Sequence, residues 1–467
     1  MSSRGTGDPV TLRARQGYSL PTEKSSVLAP SPLFRVLRLL IDVRPDEVAA
    51  LAWSWLYFFS ILSAYYVIRP IRDEIGAAGG IEKLPWLFTG TLIGMLVANP
   101  PFAALVARLT PVRFISWTYR FFMANLVLFL ILFATTTGEV NVWAGRVFYI
   151  WGAVFNLFVV SVFWGFLADV FTSEQSRRLF GFIAAGGTIG GITGSGLTSL
   201  LVEHLGAPRL LLVSALLLEV AVFAVRRLSM ISRGLREHSA RPTEETVVGG
   251  GVLSGFVHAL RSPYLLNLTV YMLLFTVLST FLYFQQADVA RHSFADRAAR
   301  TAFFANIDLA VNVLTLVIQL FLTGRIIRGL GVALTLTLLP ALSMVGFFVL
   351  GLTPTLWAVV VFQVLRRAGN FAVARPTRET CFTVVPREDK YKAKSFIDTF
   401  VYRTGDQIGA WSYAAMGFFG LGLAGISLAA VPISLVWLLN GLWLGRRNEA
   451  LTREARGVEG AAPLTAR

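Results

Sequence analysis

The feature that most constrains this chain is a recurrence of apolar blocks, each roughly 20 residues long, separated by short runs of Arg, Gly, Pro and acidic residues. Such a block is long enough for a helix to cross the hydrocarbon core of a bilayer. Inside lipid the backbone has no water to bond, so these blocks must satisfy their own hydrogen bonds as helices. Twelve blocks are read, at 49–68, 84–107, 112–135, 142–168, 181–202, 209–226, 263–287, 299–322, 331–352, 355–374, 393–416 and 421–444. With 55% of residues hydrophobic and 15% charged, there is too little polar surface to cover a soluble core. The expected fold is an all-α polytopic membrane protein with twelve transmembrane helices.

The longest internal connection, 227–262, falls near the midpoint and carries Arg227, Arg233, Arg236, Arg241 and Arg261 beside Gly249, Gly250 and Gly251. It divides the chain into six-helix halves at 49–226 and 263–444, flanked by tails at 1–48 and 445–467. This resembles the two-half arrangement of the major facilitator superfamily. With both termini placed in the cytoplasm, the 42 Lys and Arg residues favour that side by about four to one. That count places Arg366 and Arg367 with the connection after the tenth block and assigns only Arg120 and Arg403 to spans. Residues 1–30 have no apolar run, so the first tail is expected to be a disordered, basic cytoplasmic segment without a cleavable signal peptide.

The net charge of +15 is scattered over many connections and forms no stripe, which argues against a nucleic-acid partner. A single cysteine, Cys381, excludes intrachain disulfides. His204, His238, His258 and His292 have no metal-ligand spacing, so no metal and no cofactor are expected.

Charges within apolar blocks are costly and mark candidate sites. Arg69-Pro70-Ile71-Arg72-Asp73 closes the first block. Its two guanidiniums suit forked hydrogen bonding to an anion, or Arg69 pairs with Asp73 four residues on. Arg120 stands alone in the third block and needs an acid or a substrate. The fourth block carries Asn156, Trp164 and Asp169, and Asp169 with Arg177 and Arg178 reads as a gate or loop brace. Gly186 to Gly196 looks faintly like a phosphate loop but lacks its lysine, and Gly186, Gly190 and Gly194 at four-residue spacing read as a helix-packing stripe. Asp308 in the eighth block is a proton-coupling candidate or a partner for Arg120. Arg366, Arg367 and Arg403 interrupt the tenth and eleventh blocks.

The densest cluster runs from Arg375 through Arg378 and Glu379 to Lys392, Lys394, Asp398, Tyr402, Arg403 and Asp406. Lys394, Asp398 and Tyr402 fall on one helical stripe. The expected substrate-binding set is Arg69, Arg72, Arg120, Asn156, Lys392, Lys394 and Arg403. The expected coupling or gating set is Asp73, Asp169, Arg177, Asp308, Glu379, Asp398 and Asp406. A weak internal repeat relates Phe182-Ile183 to Phe396-Ile397, each preceded by charged residues.

On these residues the chain resembles the non-mitochondrial ATP/ADP carrier family of plastids and obligate intracellular bacteria, over about residues 45–445. The resemblance is most specific at Tyr66 to Asp73, at Ser161 to Phe166, at Ser262-Pro263-Tyr264 and at Lys392 to Asp398. It implies that Arg72, between Arg69 and Asp73, and the lysines Lys392 and Lys394 serve nucleotide recognition. The chain departs from the family at two positions: Gly152 or Ala153 stands where a span-four glutamate is expected, and Tyr283 where a span-seven glutamate is expected. The implied function is exchange of ATP for ADP, or uptake of a similar anion, by a monomer in the lipid bilayer of a bacterial inner membrane, with no enzymatic reaction. A proton-coupled symporter of another organic anion is the alternative, and a non-transporting scaffold or sensor stands behind both.

Overall fold

The computed structural model describes residues 42–237, 262–385, 393–394 and 396–461. Most of the 1–48 tail and of the 227–262 linker, together with Lys392, lies outside the described residues. The chain forms helices α1 (Val48–Ala78), α2 (Leu84–Arg108), α3 (Pro111–Thr135) and α4 (Gly138–Val170). A continuous stretch, Ser173–Glu237, follows. At the α-helical rise it would be about 97 Å long, far beyond a bilayer. It breaks at Gly206, whose φ of 76° is open to glycine and strained for other residues. The two arms are α5 (173–205) and α6 (207–237). Both return to one level of α1: Ser63 Oγ donates to Gly190 O, and Ser214 Oγ donates to Ala64 O.

The second half comprises α7 (Pro263–Ser293), α8 (Arg297–Phe321), α9 (Thr323–Leu352, broken at Gly331), α10 (Leu356–Gly369), α11 (Tyr402–Phe418) and α12 (Leu423–Ala461). Several starts are written in the sequence. Ser262, Asp296 and Thr355 cap α7, α8 and α10 by accepting from Leu265 N, Ala299 N and Ala358 N. α10 continues through a π-helical turn, Asn370–Ala374, into Arg375–Cys381, and a second π-helical turn, Ile397–Val401, leads into α11. Ten described helices are long and apolar enough to span a membrane. One of these, Arg178–Ser232, contains the Gly206 break and supplies two spans. α11, of 17 residues and carrying Arg403, Asp406 and Gln407, is not among the ten; counted with them it brings the long helices to twelve.

Three helices run at least ten residues past the C-terminal ends of their apolar blocks. α1 passes 68 to reach Ala78, so Arg69 to Asp73 lies inside the helix rather than at its end. α6 reaches Glu237 and α12 reaches Ala461, because Ala, Leu, Arg and Glu sustain a helix after the apolar run has stopped.

Lipid gives little hydrophobic drive between helices, so close approach of backbones carries the packing. An added Cβ at Gly190 or Gly194 of α5 would collide with the carbonyl oxygens of Phe59 and Ser63 on α1. The second half repeats the arrangement: a Cβ at Gly405 or Gly409 of α11 would lie 3.2 Å from Leu273 O and 3.0 Å from Val277 O on α7. The glycine stripe is thus a packing seam. Each half has its own core, one built around Tyr57, Tyr119, Phe155 and Phe163, the other around Phe281, Phe304, Phe347 and Trp437.

Candidate functional site

A cavity of about 700 Å³ lies between the two halves. α1 contributes Tyr65, Tyr66, Arg69, Arg72 and Asp73, and α4 adds Tyr149, Asn156 and Trp164. From the second half, α10 contributes Gln363, Arg366 and Arg367. The π-helical turn after it adds Asn370 and Phe371, Arg375 follows, and α11 adds Tyr402, Arg403 and Asp406. The lining therefore carries six arginines against two carboxylates, with Asp308 directly behind them. All its cations are guanidiniums, whose planar donor forks match carboxylate and phosphate oxygens.

The charges form a network that crosses between halves. Arg69 Nη1 lies 3.0 Å from Asp308 Oδ1 and its Nε 3.7 Å from Asp73. Arg367 Nη1 reaches the same Asp308 oxygen at 2.7 Å. Asp308 is 1% exposed, so this one carboxylate joins α1 to α8 and α10 in a dry setting. Arg72 donates to Tyr149 O at 3.0 Å, sits 4.0 Å over the Tyr149 ring and lies 3.4 Å from Asp73. Tyr283 Oη donates to Asp73 at 3.1 Å and is hydrogen-bonded to Tyr149 Oη at 3.1 Å. Arg403 pairs with Asp406 at 3.1 Å.

The positions where the sequence departs from the resembled family, Gly152 or Ala153 and Tyr283, lie at this site. Gly152 faces the Arg72 side chain, where a Cβ would come within 3.1 Å of Cδ. Tyr283 fills the span-seven position and holds Asp73 by a neutral hydroxyl.

The cavity is closed at one end. There Glu74 of α1 binds Arg297 at 3.0 Å and Arg300 at 2.9 Å, both on α8. Thr89 of α2 donates to Gln407 of α11, and Trp86 packs edge-on against Trp411. At the other end, where α4 joins α5, the ion pairs of Arg44, Arg178, Arg378 and Lys394 do not cross between the halves. They join Arg178 with Glu47, Arg44 with Glu174, Arg378 with Asp398, and Lys394 with Glu379. A second cavity of about 420 Å³ shares Phe58, Tyr66, Phe371 and Arg375 with the first and continues toward Gln319 and Glu379.

Of the residues expected from sequence, Arg69, Arg72, Asp73, Asn156, Arg403 and Asp406 line the main cavity, and Asp308 backs it. Glu379, Lys394 and Asp398 sit at the open end instead, as does Asp169 on the last turn of α4. The Lys394–Asp398–Tyr402 stripe is broken because the π-helical turn at Ile397–Val401 changes the helical phase between its members. The Arg177 side chain and all of Lys392 lie outside the described residues.

Arg120 leaves the set altogether. Its guanidinium pairs with Glu219 of α6 at 2.9 Å on the outer face of the first half, with side chains 47% and 50% exposed. Asp308 is therefore a partner of Arg69 and Arg367 and not of Arg120. Sequence reasoning missed Arg366 and Arg367, which a topology based on charge bias assigns to a connection. Their signal was present: two adjacent guanidiniums interrupt an apolar block.

No family model matches the sequence. The chain is similar to ADP,ATP carrier protein 1 of Chlamydia trachomatis serovar D, with 21% identity covering 90% of this chain and 92% of that protein. It is likewise similar to ADP,ATP carrier protein 1 of Chlamydia pneumoniae, with 21% identity covering 93% and 98%. Among solved structures it resembles the POT family transporter PepTSo, with TM-score 0.58 and 12% identity over 88% of this chain and 99% of that one. It also resembles a bacterial homologue of the iron transporter ferroportin in its inward-facing state, with TM-score 0.58 and 13% identity over 86% and 98%. The structural likenesses speak for fold alone, and at that level they agree with the two-half architecture. The chain is thus similar along most of its length to ADP,ATP carrier proteins and shares the helical fold of these solved transporters.

Proposed function

We propose that this protein exchanges nucleotides of the ATP and ADP type across a bacterial inner membrane by alternating access. The observation that carries the reading is the cavity between the halves, which combines arginine forks with aromatic faces. Guanidiniums suit phosphate oxygens, and Tyr65, Tyr66, Tyr149 and Trp164 offer rings of the kind on which a nucleobase stacks. The curated relatives' names point to the same substrates. One chain holds the whole cavity, which supports a monomer as the working unit, and the reading assigns transport without catalysis.

The termini are placed in the cytoplasm by the positive-inside bias. The closed end then faces outward and the open end faces the cytoplasm. Substrate anions compete with Asp73 and Asp308 for Arg69, Arg72 and Arg367. Loading therefore changes the very pairs that link the halves, which gives the two states different affinities for ligand. If ATP moves one way and ADP the other, one net charge crosses per cycle, worth about 2.3 kcal/mol per 100 mV.

The test is uptake of labelled ATP and ADP by bacterial cells expressing the protein, beside Arg72→Ala. Uptake that is accelerated by nucleotide preloaded inside and abolished in Arg72→Ala supports exchange. Absence of uptake with the protein present in the membrane contradicts it.

A further inference from the structure

Matching each cavity arginine to its counter-charge separates them into two groups. Arg69, Arg72, Arg367 and Arg403 each border a carboxylate. Arg366 and Arg375 make no ion pair among the described residues, the carboxylate nearest in electrostatic influence to Arg375 being Asp398. Arg366 is the stranger case, because it is 3% exposed. Its guanidinium is held by neutral acceptors alone: Ser343 Oγ at 3.0 Å, Ser279 Oγ at 2.9 Å and Phe275 O at 3.1 Å. The rings of Phe275 and Trp437 lie 5.3 and 5.9 Å from it. Three of its five N–H groups are thereby used and two remain. Next to it, Arg367 Nη2 is buried with no hydrogen-bond partner at all.

A buried cation without a counter-ion is expensive in a membrane protein. Here the neutral acceptors fix its orientation and leave its charge uncompensated. Arg366, Arg367 and Arg375 all face the same cavity. The outer two are nine residues apart, and the π-helical turn between them makes their axial separation less than the ~13 Å of an unbroken α-helix. A row of guanidiniums on one wall matches an anion whose charge is spread along a chain better than it matches a compact one.

We propose that the wall formed by α10 and its continuation through Arg375 seats a linear polyphosphate, with Arg366 and Arg375 as the residues whose charge it neutralises. The aromatic groups of α1 and α4 opposite then receive the remainder of the substrate. The identity of that remainder as a nucleoside rests on the nucleotide reading above, whereas the anion seat follows from the arrangement of charge. Arg69 and Arg72, already engaged with Asp308 and Asp73, join only when those pairs open.

The experiment measures thermal stabilisation of the purified full-length protein by inorganic tripolyphosphate, ATP and adenosine. Tripolyphosphate stabilises the unaltered protein. Arg366→Gln and Arg375→Gln each weaken its apparent affinity about tenfold, the scale of one lost charge-assisted contact. Neither changes the response to adenosine, and Arg120→Gln, outside the cavity, binds tripolyphosphate as the parent does. Arg375 is not buried, so its variant tests the seat even where Arg366→Gln fails to fold. Unchanged tripolyphosphate affinity in a folded Arg375→Gln or Arg366→Gln protein, or no tripolyphosphate binding by the parent, overturns the proposal. Tripolyphosphate binding that needs both arginines, with ATP binding no tighter and adenosine not at all, upholds the seat and contradicts the nucleotide reading instead.

Discussion

In the first half α5 lies against α1 through Gly190 and Gly194, and in the second half α11 lies against α7 through Gly405 and Gly409. The same helices meet in the same way, yet their charges do not correspond. α1 carries Arg69, Arg72, Asp73 and Glu74, whereas α7 has no charged residue from Pro263 to Ala287. α10 carries Arg366 and Arg367, whereas α4 has none from Val147 to Ala168. The backbone scaffold is two-fold and the site built on it is not. A scaffold that rocks between two states gains from equivalent halves. A substrate with one anionic end and one aromatic end has no such symmetry, and its ligands need not either.

The largest effect is expected where the two charge sets meet. Asp308→Asn removes the one carboxylate shared by Arg69 and Arg367 and leaves two part-buried cations facing each other across a buried, neutral side chain. Breaking a buried ion pair in this way costs about 3–5 kcal/mol. The purified variant should melt well below the parent and lose exchange activity, and a parent-like melting curve would show that the two sets are independent. Next come Gly190→Leu and Gly409→Leu, each expected to destabilise by about 1–3 kcal/mol through overpacking. Comparable losses of monodisperse protein in detergent are predicted, and tolerance of one but not the other would break the packing equivalence.

A smaller effect sharpens the contrast between the closed and open ends. Glu74→Gln weakens the hold of α1 on Arg297 and Arg300 at the closed end. A cysteine placed at Ala153 in the cavity wall should then react several-fold faster with a membrane-impermeant thiol reagent added outside, because the native Cys381 is buried. No acceleration would mean that these pairs do not hold the closed end. The smallest effect is reserved for Arg120 and Glu219, which are remote from the cavity. The double change to alanine should leave the exchange rate within about twofold, since pairs that touch no other site component behave independently.

How much of this could be read from the chain follows from what each pattern encodes. Apolar length encodes spans, so the blocks anticipate the long helices, and α11, shorter and more polar, is among those that hydropathy marks least clearly. Hydropathy does not encode where a helix stops, and α1, α6 and α12 continue where charged residues end the apolar run. Depth is harder still. Arg366 and Arg367 sit next to connection residues in sequence, and only packing reveals that they face a cavity between the halves. Rotation about the helix axis is not encoded by a lone charge: Arg120 reads as a cavity residue and turns out to pair with Glu219 on the outer face. The glycine stripe was readable as packing because its four-residue spacing places three small residues on one face.

The most direct test of the central claim is counterflow in liposomes containing the purified protein. Vesicles loaded with ADP should take up labelled ATP rapidly, empty vesicles should not, and an imposed potential should bias the direction. Equal uptake by loaded and empty vesicles, or none in either, would contradict nucleotide exchange by this cavity.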